Sequence, residues 1–144
     1  MNYEHPTSYP HVFYIHNIQH RDGNRRKSQW TITELEERSC FEHGALFVYV
    51  YGVCESHTCW GLHFLDNSPA YLGHSADELQ ERRLLLVAKF VDGNGNNHWH
   101  GYPADHVKNN QDIPPSAVRN IWLNSGQLTL AKIRKITRGQ ICNL

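Results

Sequence analysis

The sequence predicts an α+β fold: a single domain over residues 1–144 with a largely antiparallel sheet, short helices and a C-terminal helical pair. The order of predicted helices and strands is mixed, and adjacent strands are joined by short turns, which favours antiparallel pairing. The chain has 144 residues, of which 40% are hydrophobic and 19% charged. That length and composition are typical of one globular domain that buries its own core.

The N-terminal third predicts one strand and one helix. HVFYIHNIQ, residues 11–19, is rich in aromatic and β-branched residues and therefore indicates a strand. Thr33 and Glu36 have the spacing of a capping box, which predicts a short helix over TELEERSCF, residues 33–41. Gly44 is expected to end that helix.

Two further strands are predicted around a cysteine-containing turn. ALFVYVYGV, residues 45–53, and WGLHFL, residues 60–65, are strand-like. Cys54 and Cys59 flank the turn between them and could form a disulfide in an oxidising compartment. With His57 they could instead supply three zinc ligands, although the spacing fixes no fourth. We therefore predict no bound metal and no cofactor.

The middle of the chain predicts a helical turn and a β-hairpin. Ser75 can cap a helix over ADELQERR, residues 76–83. LLLVAKFV, residues 84–91, is the most apolar run and indicates a central strand. The loop DGNGNN, residues 92–97, then turns the chain back into HWHGY, residues 98–102.

The C-terminal segment predicts two helices. PPSAVRNIWLNS, residues 114–125, and LAKIRKITR, residues 130–138, are each followed by a glycine, and Thr129 can cap the second. The second helix has an apolar stripe of Leu130, Ile133 and Ile136 or Thr137. The alternating Leu-Thr-Leu start of this segment would also suit a strand, but we favour the helix.

The hairpin distributes its side chains between two faces. If Val91 pairs with His98, the alternation of side chains along a strand gives one apolar and one polar face. The apolar face carries Ala88, Phe90 and Trp99, and the polar face carries Lys89, His98, His100 and Tyr102. We expect Phe90, Trp99 and Trp122 to be buried. In this register Gly101 lies opposite Ala88, which leaves room for Trp122.

Several chemistries suit the polar face. His98 and His100 could act as general base and acid, with Lys89 holding a phosphate group. The two imidazoles could alternatively bind a metal together with Asp105 or His106. Aromatic and basic groups on an open sheet face could also stack against and hold single-stranded nucleic acid.

A purely structural role is also open for the same residues. Asp105 could cap backbone amides, and His98 and His100 could cover the edge of the sheet.

Charge is unevenly distributed along a chain whose formal net charge is zero. The predicted last helix carries Lys132, Arg134, Lys135 and Arg138 outside its apolar stripe, and no acidic residue occurs from residue 113 to residue 144. Phosphate contacts from such residues would give salt-sensitive binding. A solvated helix that packs its stripe into the core is the structural alternative.

We therefore predict a small cytoplasmic binding domain for a protein or nucleic-acid partner. The predicted binding residues are Lys89, Tyr102, Asp105, His106, Lys132, Arg134, Lys135 and Arg138. The alternative is a metal-independent nuclease or phosphodiesterase that uses His98 and His100, so whether the chain is an enzyme is left open.

Other function classes are disfavoured. No GxxxxGK[ST], GxSxG, HExxH or GxGxxG motif occurs in the sequence, which disfavours P-loop, α/β-hydrolase, zincin and dinucleotide-binding functions. The N-terminal residues have neither a basic start nor an apolar core of the kind found in signal peptides, and no run approaches the ~20 apolar residues of a membrane span. We therefore expect a cytoplasmic location and no membrane partner.

Overall fold

A computed structural model describes residues 4–53, 57–77 and 82–144. Within these ranges the chain has an α+β architecture with a six-stranded sheet and a smaller three-stranded sheet. The strands are β1 (Glu4–Pro6), β2 (Phe13–Ile15), β3 (Gln29–Trp30), β4 (Thr58–Leu65), β5 (Ser68–Ala70), β6 (Gly73–His74), β7 (Leu84–Leu85), β8 (Val87–Val91) and β9 (His98–Pro103). The α-helices are α1 (Glu34–Tyr49), α2 (Ser116–Asn124) and α3 (Leu130–Thr137), and 3₁₀ turns cover Ile18–His20 and Asn110–Asp112. No helix in the described ranges has the length and apolar character needed to cross a membrane.

The large sheet has the strand order β1-β2-β9-β8-β4-β5 and is antiparallel except where β2 pairs with β9. The predicted hairpin between β8 and β9 is present, but its register differs from the prediction by two residues. Val91 pairs with His100, and Phe90 pairs with Gly101. A shift of two residues leaves every side chain on its predicted face.

The physical reason for the shift lies in the hairpin loop. The Asp92 carboxylate accepts hydrogen bonds from the backbone amides of Asn96 and Asn97, which orders a wider turn than the predicted one. His98 and Trp99 therefore pair with β2 rather than with β8.

The helix α1 is longer than predicted, and the strand predicted over residues 45–53 is wrong. The predicted capping box of α1 is present, since Thr33 and Glu36 each accept a hydrogen bond, through the side chain, from the backbone amide of the other. Gly44 does not end the helix. It lies where α1 crosses β4, and a Cβ atom there would stand 2.7 Å from the backbone oxygen of Trp60. The glycine thus permits close packing of helix on sheet, and this packing overrides the strand propensity of the run that follows.

The hydrophobic core consists of two clusters on opposite faces of the large sheet. One cluster joins Phe41 and Ala45 of α1 to Cys59, Phe90 and Trp99. The other joins α2 and α3 to the opposite face of β4 and β8, through residues that include Trp60, Leu62, Val87, Trp122 and Ile136. The sheet is therefore sandwiched between α1 and the C-terminal helical pair.

The predicted burial of the three aromatic residues is confirmed, with relative exposures of 1% for Trp99, 0% for Phe90 and 0% for Trp122. The space beside Gly101 is filled by the ring of Phe90 and not by Trp122. The two-residue shift in register explains this correction, because it places Phe90 directly opposite Gly101.

The C-terminal helical pair is confirmed. The Thr129 side chain accepts a hydrogen bond from the backbone amide of Lys132 at the start of α3. Ile133 and Ile136 are buried, whereas Leu130 is 46% exposed and contributes little to the predicted stripe.

Two other predicted strands differ from the structure, and one predicted helix lies mostly outside the described residues. The strand expected over residues 11–19 is limited to β2, because the chain turns into a 3₁₀ helix beyond it. The strand expected over residues 84–91 is divided into β7, which pairs within the small sheet, and β8, which pairs within the large one. The helix expected over residues 76–83 falls largely on residues 78–81, which lie outside the described residues, as does Cys54. The Ser75 hydroxyl accepts a hydrogen bond from the Arg83 amide.

Candidate functional site

One face of β9 carries the histidines that the sequence analysis selected. His98, His100 and Tyr102 alternate with Trp99, Gly101 and Pro103, and the first three are half-buried while the other three are buried. The register of the neighbouring strands adds Phe13, which pairs with His98, and Lys89, which pairs with Tyr102. We call these five residues the open face: Phe13, Lys89, His98, His100 and Tyr102.

Two stacked pairs of rings lie at the two ends of β9. The ring centroids of Phe13 and His98 are 5.1 Å apart, with an angle of 22° between the planes. Those of His20 and Tyr102 are 5.3 Å apart, with an angle of 19°. The open face therefore presents aromatic and imidazole rings along the length of one strand.

His20 was not among the predicted site residues, and it belongs to the loop after β2. Arg21 fixes this loop, because it donates hydrogen bonds to the buried Glu37 carboxylate at 2.7 and 2.9 Å and to the backbone oxygen of Ile32. His20 Nδ1 donates to the backbone oxygen of Ser28 at 2.8 Å. Burial lowers the pKa of His20, so its neutral form keeps Nε2 free of a proton at neutral pH.

The two histidines of the open face have different surroundings. His98 Nδ1 donates to the backbone oxygen of Asn96 at 2.9 Å, and His98 Nε2 lies 3.1 Å from Glu4 Oε1. With Nδ1 committed as a donor, Nε2 can donate to Glu4 only when the ring is protonated. Burial lowers the pKa of His100, an effect that Asp92 partly opposes, so His100 is expected to be neutral at neutral pH.

Tyr102 and Lys89 are held by the buried Asp112. The Tyr102 hydroxyl donates to Asp112 Oδ1 at 2.9 Å, and both burial and this carboxylate raise the pKa of the phenol. Lys89 Nζ donates to the backbone oxygen of Gln111 at 2.7 Å and lies 5.3 Å from the centre of the Trp60 ring. Burial lowers the pKa of Lys89, against the opposing effect of Asp112. The ammonium group of Lys89 thus holds the segment beside β9, and its predicted contact with a phosphate group stays a prediction.

Asp105 and His106 are buried, and their polar atoms bind other parts of the chain. Arg83 donates to both oxygens of Asp105, at 2.6 and 2.7 Å. Asp105 also accepts a hydrogen bond from the backbone amide of Lys108, the capping role that the sequence left open for it. His106 Nε2 lies 2.7 Å from the backbone oxygen of Gln140. These contacts are structural, and they place His106 against the end of α3.

A cleft of about 430 Å³ lies beside Tyr102 at the end of the open face. Among the residues that the structure describes, its lining includes His20 but neither His98 nor His100. Basic side chains from two segments also line it: Arg26, Lys27 and Lys108. The cleft is therefore a concave site with an imidazole, a phenol and cationic groups.

The basic residues of α3 lie outside its buried stripe. Arg134, Lys135 and Arg138 are exposed, and Lys132 is half-buried. The contact between His106 and Gln140 joins the end of α3 to the segment that carries Lys108. The basic end of α3 and the cleft are thus connected by one short stretch of chain.

A second cavity of about 330 Å³ lies between α1 and β4, lined in part by Glu36, Cys40, His43 and His63. His63 Nε2 is 3.3 Å from Glu36 Oε2. Burial raises the pKa of the Cys40 thiol to about 12, with smaller contributions from Glu37 and Glu36. A thiol with that pKa carries no nucleophilic thiolate at neutral pH.

Neither metal site considered from the sequence is assembled by the described residues, which contain no group of three side chains placed to hold a metal ion. The combination of Cys54, His57 and Cys59 includes a residue outside the described ranges, so the expectation that it binds no zinc stays a prediction. Comparisons of the chain with protein-family models, curated proteins and solved structures found no match.

Proposed function

We propose that this chain is a binding domain for single-stranded nucleic acid, with the open face as a platform for bases. The observation that carries the proposal is the row of half-exposed rings along β9, bounded by two stacked pairs. Proteins that bind single strands combine aromatic side chains, on which bases stack, with basic groups that follow the backbone. A single strand is favoured over a duplex because the bases must be unstacked to lie against such rings.

The distribution of charge supports the same proposal despite the zero net charge. The cations of the cleft lie at one end of the open face, and α3 packs on the same side of the sheet. The acidic first turn of α1, with Glu34, Glu36 and Glu37, belongs to the helix on the opposite side. Local fields of this kind steer a charged ligand even when the total charge is zero.

The proposal is tested by fluorescence anisotropy with a labelled single-stranded 12-mer of uridine or thymidine and a duplex of the same length at low salt. We expect the single strand to bind more tightly than the duplex. Phe13→Ala should weaken binding roughly 5- to 150-fold, the equivalent of ~1–3 kcal/mol for one stacked base. Tyr51→Ala is the matched control, since Tyr51 is an exposed aromatic residue outside the open face. Absence of binding at low salt, or equal effects of the two substitutions, would contradict the proposal.

The basic helix is tested by the salt dependence of the same binding. For single strands the slope of log K against log salt is about −0.7 for each phosphate that is neutralised. Lys135→Ala and Arg138→Ala should therefore each weaken binding to unrelated sequences alike and flatten the slope. If neither substitution changes the slope, the basic residues of α3 do not contact phosphate groups, and the helix contributes only to the fold.

A second candidate function is metal-independent phosphodiester cleavage by His98 and His100. One observation favours it: His98 lies against the Glu4 carboxylate, whereas burial lowers the pKa of His100. An acid–base pair needs two groups in different environments. If they form an acid–base pair, each alanine substitution should reduce cleavage of RNA by about 10²–10⁴-fold, and the pH–rate profile should be bell-shaped. Binding without cleavage would favour the platform over this candidate.

A further inference from the structure

The cleft beside Tyr102 is formed by segments that are far apart in the sequence. His20, Lys27 and Ser28 come from the loop after β2, and Lys108 comes from the segment after β9. A strand that lay along β9 and passed Tyr102 would meet this second segment. The cleft is therefore placed to contact a strand that extends beyond the open face.

Two cations of the cleft, Lys27 and Lys108, are available to a ligand, whereas its carboxylates are not. The ammonium groups of Lys27 and Lys108 form no ion pair with any residue in the described ranges. Both oxygens of Asp105 are held by Arg83. Asp112 accepts hydrogen bonds from the Tyr102 hydroxyl and from the Asp105 amide, and Lys89 Nζ lies 3.8 Å from its Oδ1 atom. The unneutralised charge that borders the cleft is therefore positive.

His20 forms a fixed wall of the cleft. It is 8% exposed, its ring stacks on Tyr102, and its Nδ1 is bound to the backbone of Ser28. Within the described part of the chain, Nε2 of His20 forms no hydrogen bond. In the neutral ring this atom can accept a hydrogen bond from a hydroxyl or amino group of a ligand.

We propose that the cleft binds the phosphate monoester at the end of a nucleic-acid strand, with Lys27 and Lys108 as the anion-binding groups. This inference rests on the proposed function, because it places in the cleft the end of a strand whose bases lie on the open face. A phosphate monoester carries about −1.5 to −2 charges at neutral pH, more than the single charge of a diester inside the strand. A site with two uncommitted ammonium groups therefore distinguishes a phosphorylated end from a hydroxyl end.

The test is a competition experiment with the full chain and a labelled 12-mer. The unlabelled competitors are the same 12-mer with a 5′-phosphate, with a 3′-phosphate, or with hydroxyl groups at both ends. We expect one phosphorylated competitor to bind roughly tenfold more tightly than the hydroxyl-ended one, the equivalent of one hydrogen bond to a charged group. The phosphorylated competitor that binds more tightly identifies whether the 5′ or the 3′ end of the strand occupies the cleft.

Substitutions then locate the effect. The double variant Lys27→Gln/Lys108→Gln should remove the preference for the phosphorylated end. Lys135→Gln is the control: it should weaken all three competitors alike and keep their ratio. Equal affinity of the three competitors for the unmodified chain would overturn this inference and leave the platform standing. A preference that survives the double variant would also overturn it, and failure of every oligonucleotide to bind would overturn the proposed function as well.

Discussion

Substitution of Gly101 tests the register that builds the open face. A Cβ atom at this position would overlap Phe90 Cδ1 and would lie 2.7 Å from the backbone oxygen of Lys89. Phe90 is fully buried and the Lys89 oxygen belongs to the paired strand, so neither can move without disturbing the core. Overpacking of this kind costs about 1–3 kcal/mol. We therefore expect Gly101→Ala to lower the free energy of unfolding by that amount.

The measurement is a thermal or denaturant melt beside a control in the same hairpin. At roughly 3 °C per kcal/mol for a chain of this size, Tm should fall by about 3–9 °C. Gly93→Ala is the control, because a Cβ atom at Gly93 meets nothing within 4 Å. It should be neutral or slightly stabilising, since alanine reduces the entropy of the unfolded chain. If Gly101→Ala had the same Tm as the unmodified protein and as Gly93→Ala, the pairing of Phe90 with Gly101 would be refuted.

Three further predictions concern the core, a buried ion pair and the histidines. Trp99→Ala should cost ~3–5 kcal/mol in a denaturant titration, because the side chain is 1% exposed, and a midpoint that barely moves would contradict the packing of β9 on α1. Arg83→Met should cost about 3–5 kcal/mol, because it leaves the Asp105 carboxylate buried without a cation beside it. Adding Asp105→Asn should recover part of that loss in a double-mutant cycle. Burial lowers the pKa of His20 and His100 below 6.5, so the unfolded chain binds more protons than the folded chain just below that pH. Tm should therefore fall as the pH is lowered through 6.5. The double variant His20→Gln/His100→Gln should show a smaller fall in Tm.

The parts of the fold that the sequence predicted correctly depend on local interactions. Thr33 and Glu36 form their capping box three residues apart, and Thr129 caps α3 within one turn. The alternation between buried Trp99 and half-exposed His98 follows from strand geometry alone. The two faces of β9 were therefore predicted correctly even though the predicted register was wrong by two residues.

The errors arose where distant parts of the chain decide the structure. Gly44 looks like a helix end, but its contact with Trp60 of β4 shows a site of close packing inside α1. The stack of His20 on Tyr102 joins residues from opposite halves of the chain, and no spacing in the sequence indicates it. The ion pair between Arg83 and Asp105 also joins two different segments of the chain, and no spacing in the sequence indicates it.

The most direct test of the single-strand platform is a titration of isotope-labelled protein with a single-stranded 12-mer, followed by NMR of the aromatic and imidazole ring resonances. If bases stack on the open face, the rings of Phe13, His98, His100 and Tyr102 should shift together with one common dissociation constant, because they share one face of the sheet. The ring of Tyr51, which lies outside that face, should not shift with them. Saturable shifts confined to α1, or no shift of the four rings at low salt, would contradict the proposed role of the open face.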